Sequence, residues 1–529
     1  MAQIHWTSPV SADFSTAADW SSGTVPGAGD DAILDAAGSA FTVTSNVDET
    51  VGGIQTASNA TLDITGGNFT ASAGTGVNAG TIIVGEATLT VGGTFNNAGT
   101  INLDNSDIQE VQVAVDGSLI NQAGGIIDAT GVGRASVFTP IAGDVIINDG
   151  TLEGTGAGGL EFDGATITGS GRIFAGAGSR VLLGNSTVTG GVLNTAAGGV
   201  INIANLGRAG HGSFFTGSGA FSNAGTIALG GIGGPGTLTF DNNSTLAGGG
   251  TVSLVGGEIT GTTQIVVLTN VDNTIAGFGA LGGGRLTLIN DAAGVIDANT
   301  QGSALTIDTG TNTIANAGLI EATGAGGNGV IDSAVRNTGT LEAAGGTLVV
   351  NGAVTGTGSA TISAGTLDFT SKFNENVRFT GQGGELELAD SQAYTCKVSG
   401  FSLKGKTSLD LADILFVSAG EATFSGTTTS GVLSVTDGTH TAKITLIGDY
   451  LGSTFTAGSN GNGGTIVVDH PSMGVTTPSA GAPAPMAPVH QFVAAMAGLG
   501  ADSAGAVHAT ADAWRAPASM LAAPRTHMA

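Results

Sequence analysis

Four places along this 529-residue chain hold residues whose types and spacing could do chemistry. Asp30, Asp31 and Asp35 gather three carboxylates within six residues, an oxygen donor set of the kind calcium takes. Paired carboxylates also serve glycoside hydrolysis, provided they stand about 5 to 9.5 Å apart around the scissile bond and, for a uronate, beside a cation. Gly210-His211-Gly212 sets a proton carrier close to Arg208, which can bind an anion. Cys396 is the single cysteine, so no intramolecular disulfide exists. Each place also has a plainer role. Aspartates beside glycine cap turns, His211 sits between glycines as a corner residue does, and Cys396 lies among Tyr394, Thr395 and Val398, a strand-like run in which a buried thiol only packs. The expectation is therefore no catalytic residue and no obligatory cofactor, with calcium at Asp30, Asp31 and Asp35 as the one ion the set allows.

The elements that must carry these residues are announced by a returning phrase. Asn78-Ala79-Gly80-Thr81-Ile82 recurs as Asn97 to Ile101, Asn223 to Ile227, Asn316 to Ile320 and Asn337 to Leu341, with looser copies from Asn121, Asn148, Asn194 and Asn290. Self-similarity at roughly twenty to thirty residues is the mark of a stack whose units bury their apolar sides only against neighbours. Within one unit, Thr88 to Val91 and Thr100 to Leu103 alternate with period two, which points Leu89, Val91, Ile101 and Leu103 inward. Two or three strands per coil, stacked parallel, make an all-β parallel β-helix of about fifteen coils over 41–370. Glycine and asparagine are expected to supply the positive φ of tight corners. On this spacing Asp30-Asp31 and His211 lie roughly eight coils apart, too far to share a substrate.

Composition narrows function further. The net charge of −27, with 14 Lys and Arg, leaves no basic footprint for nucleic acid. The 93 glycines alternate with Val, Ile, Leu and Thr, which disfavours disorder. No apolar run is long enough to span a bilayer, and the N-terminus lacks the basic and apolar regions of a cleaved signal. Arg134, Arg172, Arg180, Arg208, Arg285 and Arg336 are spread singly, as solvated coil edges are. Thr-x-Thr pairs at Thr88, Thr166, Thr187 and Thr237 are irregularly spaced, which argues against an ice-binding face.

Around the repeats the character changes. Residues 1–40 hold Trp6 and Trp20 and read as an N-terminal cap covering the first coil. All five lysines fall between 372 and 443, and Asp437-Gly438 signals a hairpin, so 371–470 reads as a C-terminal β subdomain. Residues 471–488 form a proline-rich linker. The tail 489–529 is Ala-rich, with Phe492, Val493, Met496 and Leu499 on one helical stripe.

Together these pieces resemble a family of large secreted bacterial repeat proteins, common among plant- and soil-associated alphaproteobacteria. The resemblance rests on Gly23-Thr24-Val25-Pro26-Gly27-Ala28-Gly29-Asp30-Asp31, on the Asn-x-Gly-Thr-Ile phrases, and on Thr429 to Ala442. It implies an autotransporter-like or haemagglutinin-like adhesin, or a surface-layer or matrix component. The tail is similar to a C-terminal export signal of the type I kind. Gly210-His211-Gly212 also matches a triplet of polygalacturonase-type glycosidases, but no Arg-x-Lys follows it. The expected function is thus a non-enzymatic, extracellular structural or adhesive protein, self-assembling into a filament, surface layer or biofilm matrix. Its expected partners are further copies of itself and surface polysaccharide, without nucleic acid or a transmembrane segment. A polysaccharide-binding or polysaccharide-degrading β-helix is the alternative.

Overall fold

The computed structural model describes residues 1–471, except 74, 105–111, 141–143, 208–212, 232, 263 and 382. Within them the chain winds into a parallel β-solenoid of about 17 turns. At the strand spacing of ~4.8 Å the stack rises roughly 80 Å.

Each coil has three strand faces in the N-terminal half, and alternation decides what each face buries. On one face a nine-stranded parallel sheet runs from Ala12–Asp13 to Val192–Thr195. The Ile of the repeated phrase stacks there in register: Leu62 on Ile82, Ile82 on Ile101, Ile101 on Ile127, then Leu152, Ile173 and Leu193. All are buried. A second column stacks Phe69, Leu89, Val113, Phe138, Phe162 and Leu183. A third stacks Phe95, Leu119, Ile146, Ile167, Val188 and Phe215. Every such side chain contributes about 1.5–3 kcal/mol by leaving water, and only because a neighbouring coil covers it.

A polar file runs through this apolar interior. Asn78 donates from Nδ2 to Asn97 Oδ1 at 2.7 Å, Asn97 to Asn121 at 2.8 Å and Asn121 to Asn148 at 2.8 Å. Thr56 starts the row by donating to Asn78 Oδ1. The pattern resumes with Thr195 donating to Asn223, and Asn223 to Asn273. From there Asn270, Asn290, Asn316 and Asn337 follow one another at 2.8–2.9 Å. The row ends where Asn337 donates to Glu375 Oε2 at 2.7 Å. Every bond from one asparagine of the file to another runs from the lower-numbered residue to the higher.

Glycine does supply positive φ at many corners, Gly93, Gly124 and Gly198 among them, but the phrase itself works otherwise. Among the described residues only Glu86 and Asn185 are non-glycine residues with positive φ, so none of the phrase asparagines turns the corner by its backbone. Asparagine is there because its amide can accept from the coil before and donate to the coil after. The phrase glycines are not left-handed either. A Cβ on Gly99 would collide with the backbone carbonyl of Gly80, and one on Gly339 with that of Gly318. Glycine is needed because adjacent coils approach backbone to backbone at this corner.

The stack begins earlier and ends later than the phrase. Ala2–His5 already pairs parallel with the strand Asp30–Leu34, so the residues read as an N-terminal cap carry strands of the solenoid. Trp6, Phe14 and Trp20 fill its interior there. Trp20 lies edge-on to Trp6 at 5.0 Å and to Phe14 at 4.9 Å, and its Nε1 donates to the Phe14 carbonyl at 2.8 Å. At the other end parallel pairing continues past 370, through Gly384–Leu388 on Thr407–Leu411. The antiparallel strands Ala422–Gly426, Ser430–Thr436 and Thr441–Ile447 form a meander, and Ser453–Ser459 pairs Thr465–Pro471. Thr436 pairs Thr441 across the Asp437-Gly438 turn. The tail expected to be helical lies outside the described residues.

Candidate functional site

The residues picked from the sequence do not meet. Asp30 and Asp31 are neighbours on the extended strand Asp30–Leu34, so their side chains leave opposite faces. Asp35 lies about 17 Å along from Asp30 at strand rise. Asp30 Oδ2 accepts from the Gly27 backbone at 3.0 Å, capping a turn, and Asp35 faces His5 Nδ1 at 3.0 Å. Their ligand atoms therefore do not converge on an ion. Arg208 and Gly210-His211-Gly212 lie outside the described residues. Cys396 is half-buried in a loop, not deep in a strand. Its Sγ donates to the Asn374 carbonyl at 3.3 Å, while burial and the nearby Glu375 push the thiol up, away from nucleophilic use.

The structure instead assembles two sites from residues far apart in sequence. The first is a surface groove of about 750 Å³ that includes Arg134, Val137, Glu161, Asp163 and Arg180 in its lining. On the strand Leu160–Asp163, Leu160 and Phe162 point inward, which sends Glu161 and Asp163 out together, both half-buried. Their Cα atoms are about 7 Å apart by strand rise. Asp163 is oriented by Asn185, whose Nδ2 donates to its Oδ1 at 2.9 Å. Asn185 in turn accepts from the Leu206 backbone at 2.9 Å, in one of the two non-glycine positive-φ conformations. Arg134 and Arg180 are exposed. The sequence expectation of singly spread arginines is thus corrected at this place, because coil stacking brings two of them to one concavity. A third, Arg172, is held elsewhere, 3.4 Å from Glu153 and over the Phe174 ring.

The second site is a set of stacked carboxylates. Asp368 lies in register with Glu387, and Glu387 with Asp410. Glu385, Glu387 and Asp410 hold ligand atoms within 4.8 Å of one another, the one such acidic group among the described residues. Burial, with Asp368, Asp410 and Glu385 adding repulsion, raises Glu387 to about 7. Asp410 accepts from Asn460 Nδ2 at 2.9 Å, and Glu385 from Ser408 Oγ at 2.8 Å. A second stack places Asp297 on Glu321 and Glu321 on Glu342. There burial, then Asp297 and Glu342, raises Glu321 to about 7. Parallel register makes this unavoidable. An outward acid in one coil stands ~4.8 Å from the outward acid in the next.

In the sequence Glu385-Leu386-Glu387-Leu388 shows only period-two alternation. The signal for the carboxylate site was Asp410 one coil later, hidden by unequal turn lengths. Among the described residues no helix is long and apolar enough to cross a membrane. No protein-family model matches the chain, and comparison with curated proteins finds no match.

Proposed function

We propose that this chain is a non-enzymatic, secreted structural protein that acts as a surface or matrix rod, with adhesion and self-assembly as its activity. One observation carries the reading: a single apolar core runs without a break from Ile4 to Val467. Such a body is stiff along its axis and repeats its outer faces at every coil, so weak contacts add by multivalency. The first strand, Ala2–His5, pairs on one side with Asp30–Leu34 and has no strand on the other among the described residues, an edge suited to a further copy. The alternative, a polysaccharide-binding or polysaccharide-degrading protein, is favoured by the groove at Glu161 and Asp163 with its two arginines. Negative-stain microscopy of the secreted protein tests the first reading, with ordered polymers or surface-bound rods expected. A pectic or glucan substrate that gains reducing ends, with the gain lost in Glu161→Gln, would replace it by the enzymatic one.

A further inference from the structure

The threonine pairs that look irregular in sequence are regular in space. Thr168, Thr189, Thr216, Thr239 and Thr260 occupy one register position on five successive coils. Beside them Thr166, Thr187, Phe214 and Thr237 make a second file. The alternate residues, among them Ile167, Val188, Phe215 and Leu238, are buried, so both files point outward from one sheet. Among the described residues the hydroxyls of Thr168, Thr189, Thr216 and Thr239 have no hydrogen-bond partner, and the backbone holds the files at ~4.8 Å along the rod and about 7 Å across it. These two files continue upstream through Ile147 and Ile120 and carry no charged residue until Glu258 at the far end, while Asp149 and Asp241 stand one outward position to the side.

We propose that this face docks on a neutral, ordered polysaccharide, a flat array of extended pyranose chains. The inference rests on the adhesive reading above and names its ligand. An uncharged face takes a neutral partner without the cost of desolvating unpaired charge. A rigid, periodic hydroxyl array gains most from a surface that is itself periodic and rich in hydroxyls, because the contacts then add along the rod. Phe214, 44% exposed among the threonines, decides against an ice lattice. A ring standing out of a flat hydroxyl plane interrupts such a match, but it can lie on the apolar face of a sugar ring.

The test is depletion of the full chain from solution by microcrystalline cellulose, with a de-esterified pectin gel as the anionic counterpart. Wild type is expected to partition onto cellulose. Thr189→Asp/Thr216→Asp is expected to lower the partition at least tenfold, and Phe214→Ala several-fold. Thr81→Asp/Thr100→Asp, which adds the same charge to the nine-stranded face, is expected to stay within twofold. Should the aspartate variant misfold, Thr189→Val/Thr216→Val removes the hydroxyls in a strand-favouring residue and is expected to show the same loss. Retention by cellulose that ignores both face variants overturns the proposal, as does arrested ice growth without cellulose binding. Self-association abolished by the face variants, again without cellulose binding, would make this a contact between copies and overturn it too. Binding to pectin alone overturns the ligand assignment while leaving the adhesive reading standing; monodisperse rods that bind neither gel end both.

Discussion

Asn97 is the position at which the interior file can be interrogated most directly. Its side chain makes three hydrogen bonds: it accepts from Asn78 and donates to Asn121 Oδ1 and to the Ile126 carbonyl at 3.1 Å. Asn97→Ala removes all three and leaves Asn121 Oδ1 facing an apolar methyl. At about 1 kcal/mol per bond, plus the cost of the orphaned acceptor, the coil loses roughly 3–5 kcal/mol. Asn97→Asp is the sharper probe. It keeps the acceptor toward Asn78 but turns a carboxylate toward the Asn121 oxygen, in a site that is 0% exposed. Burial raises such a carboxyl above its unfolded value, so the lost stability returns as pH falls through the folded pKa. Because stability in a stack is summed coil by coil, a global melting midpoint understates the effect. Amide hydrogen exchange over residues 78–151 reads it locally. The expected result is protection reduced by a few hundred-fold to a few thousand-fold in Asn97→Ala at neutral pH, confined to neighbouring coils. Protection unchanged within threefold would refute the load assigned to the file.

Two further outcomes follow from the geometry. Gly99→Ala drives a Cβ into the Gly80 carbonyl and is expected to cost about 3 kcal/mol, whereas Gly29→Ala, which meets nothing within 4 Å, should be neutral in the same urea titration. Glu321 and Glu387, both raised to about 7, bind protons more readily folded than unfolded, so each contributes stability below about pH 4.5 that is lost as pH rises toward 7. Glu321→Gln/Glu387→Gln should flatten that slope and stabilise the chain at pH 8 by about 1 kcal/mol per site after allowing for solvent screening, as followed by denaturation across pH.

What could be read from the sequence was the periodicity, and what could not was the phase between coils. The alternation around Leu89 and Ile101 named the core residues correctly, because strand geometry leaves no other choice for apolar alternation. The Asn-x-Gly-Thr-Ile phrase gave the architecture, yet Asn97 and Gly99 were assigned the wrong work. Both residue types tolerate left-handed backbone, and only register shows that one is an amide in a file and the other a gap for a carbonyl. The same blindness hid the groove. Arg134 and Arg180 are separated by nearly two coils of chain with unequal turns, so nothing in their spacing brings them to one concavity. Asp30, Asp31 and Asp35 erred in the opposite way, close in sequence and held apart by an extended strand. That the coils reach Ala2 on one side and Leu411 on the other was invisible because those coils carry no phrase.

The one-way orientation of the interior amides gives the solenoid a grain. Wherever the file runs, a partly wound chain shows acceptors at its lower-numbered end and unspent N–H groups at its higher-numbered one. The next coil to pack is therefore chosen by chemistry as well as by chain order. The same grain governs mending. Two broken stacks can rejoin tail to head, but two like ends meet donor to donor or acceptor to acceptor and do not seal.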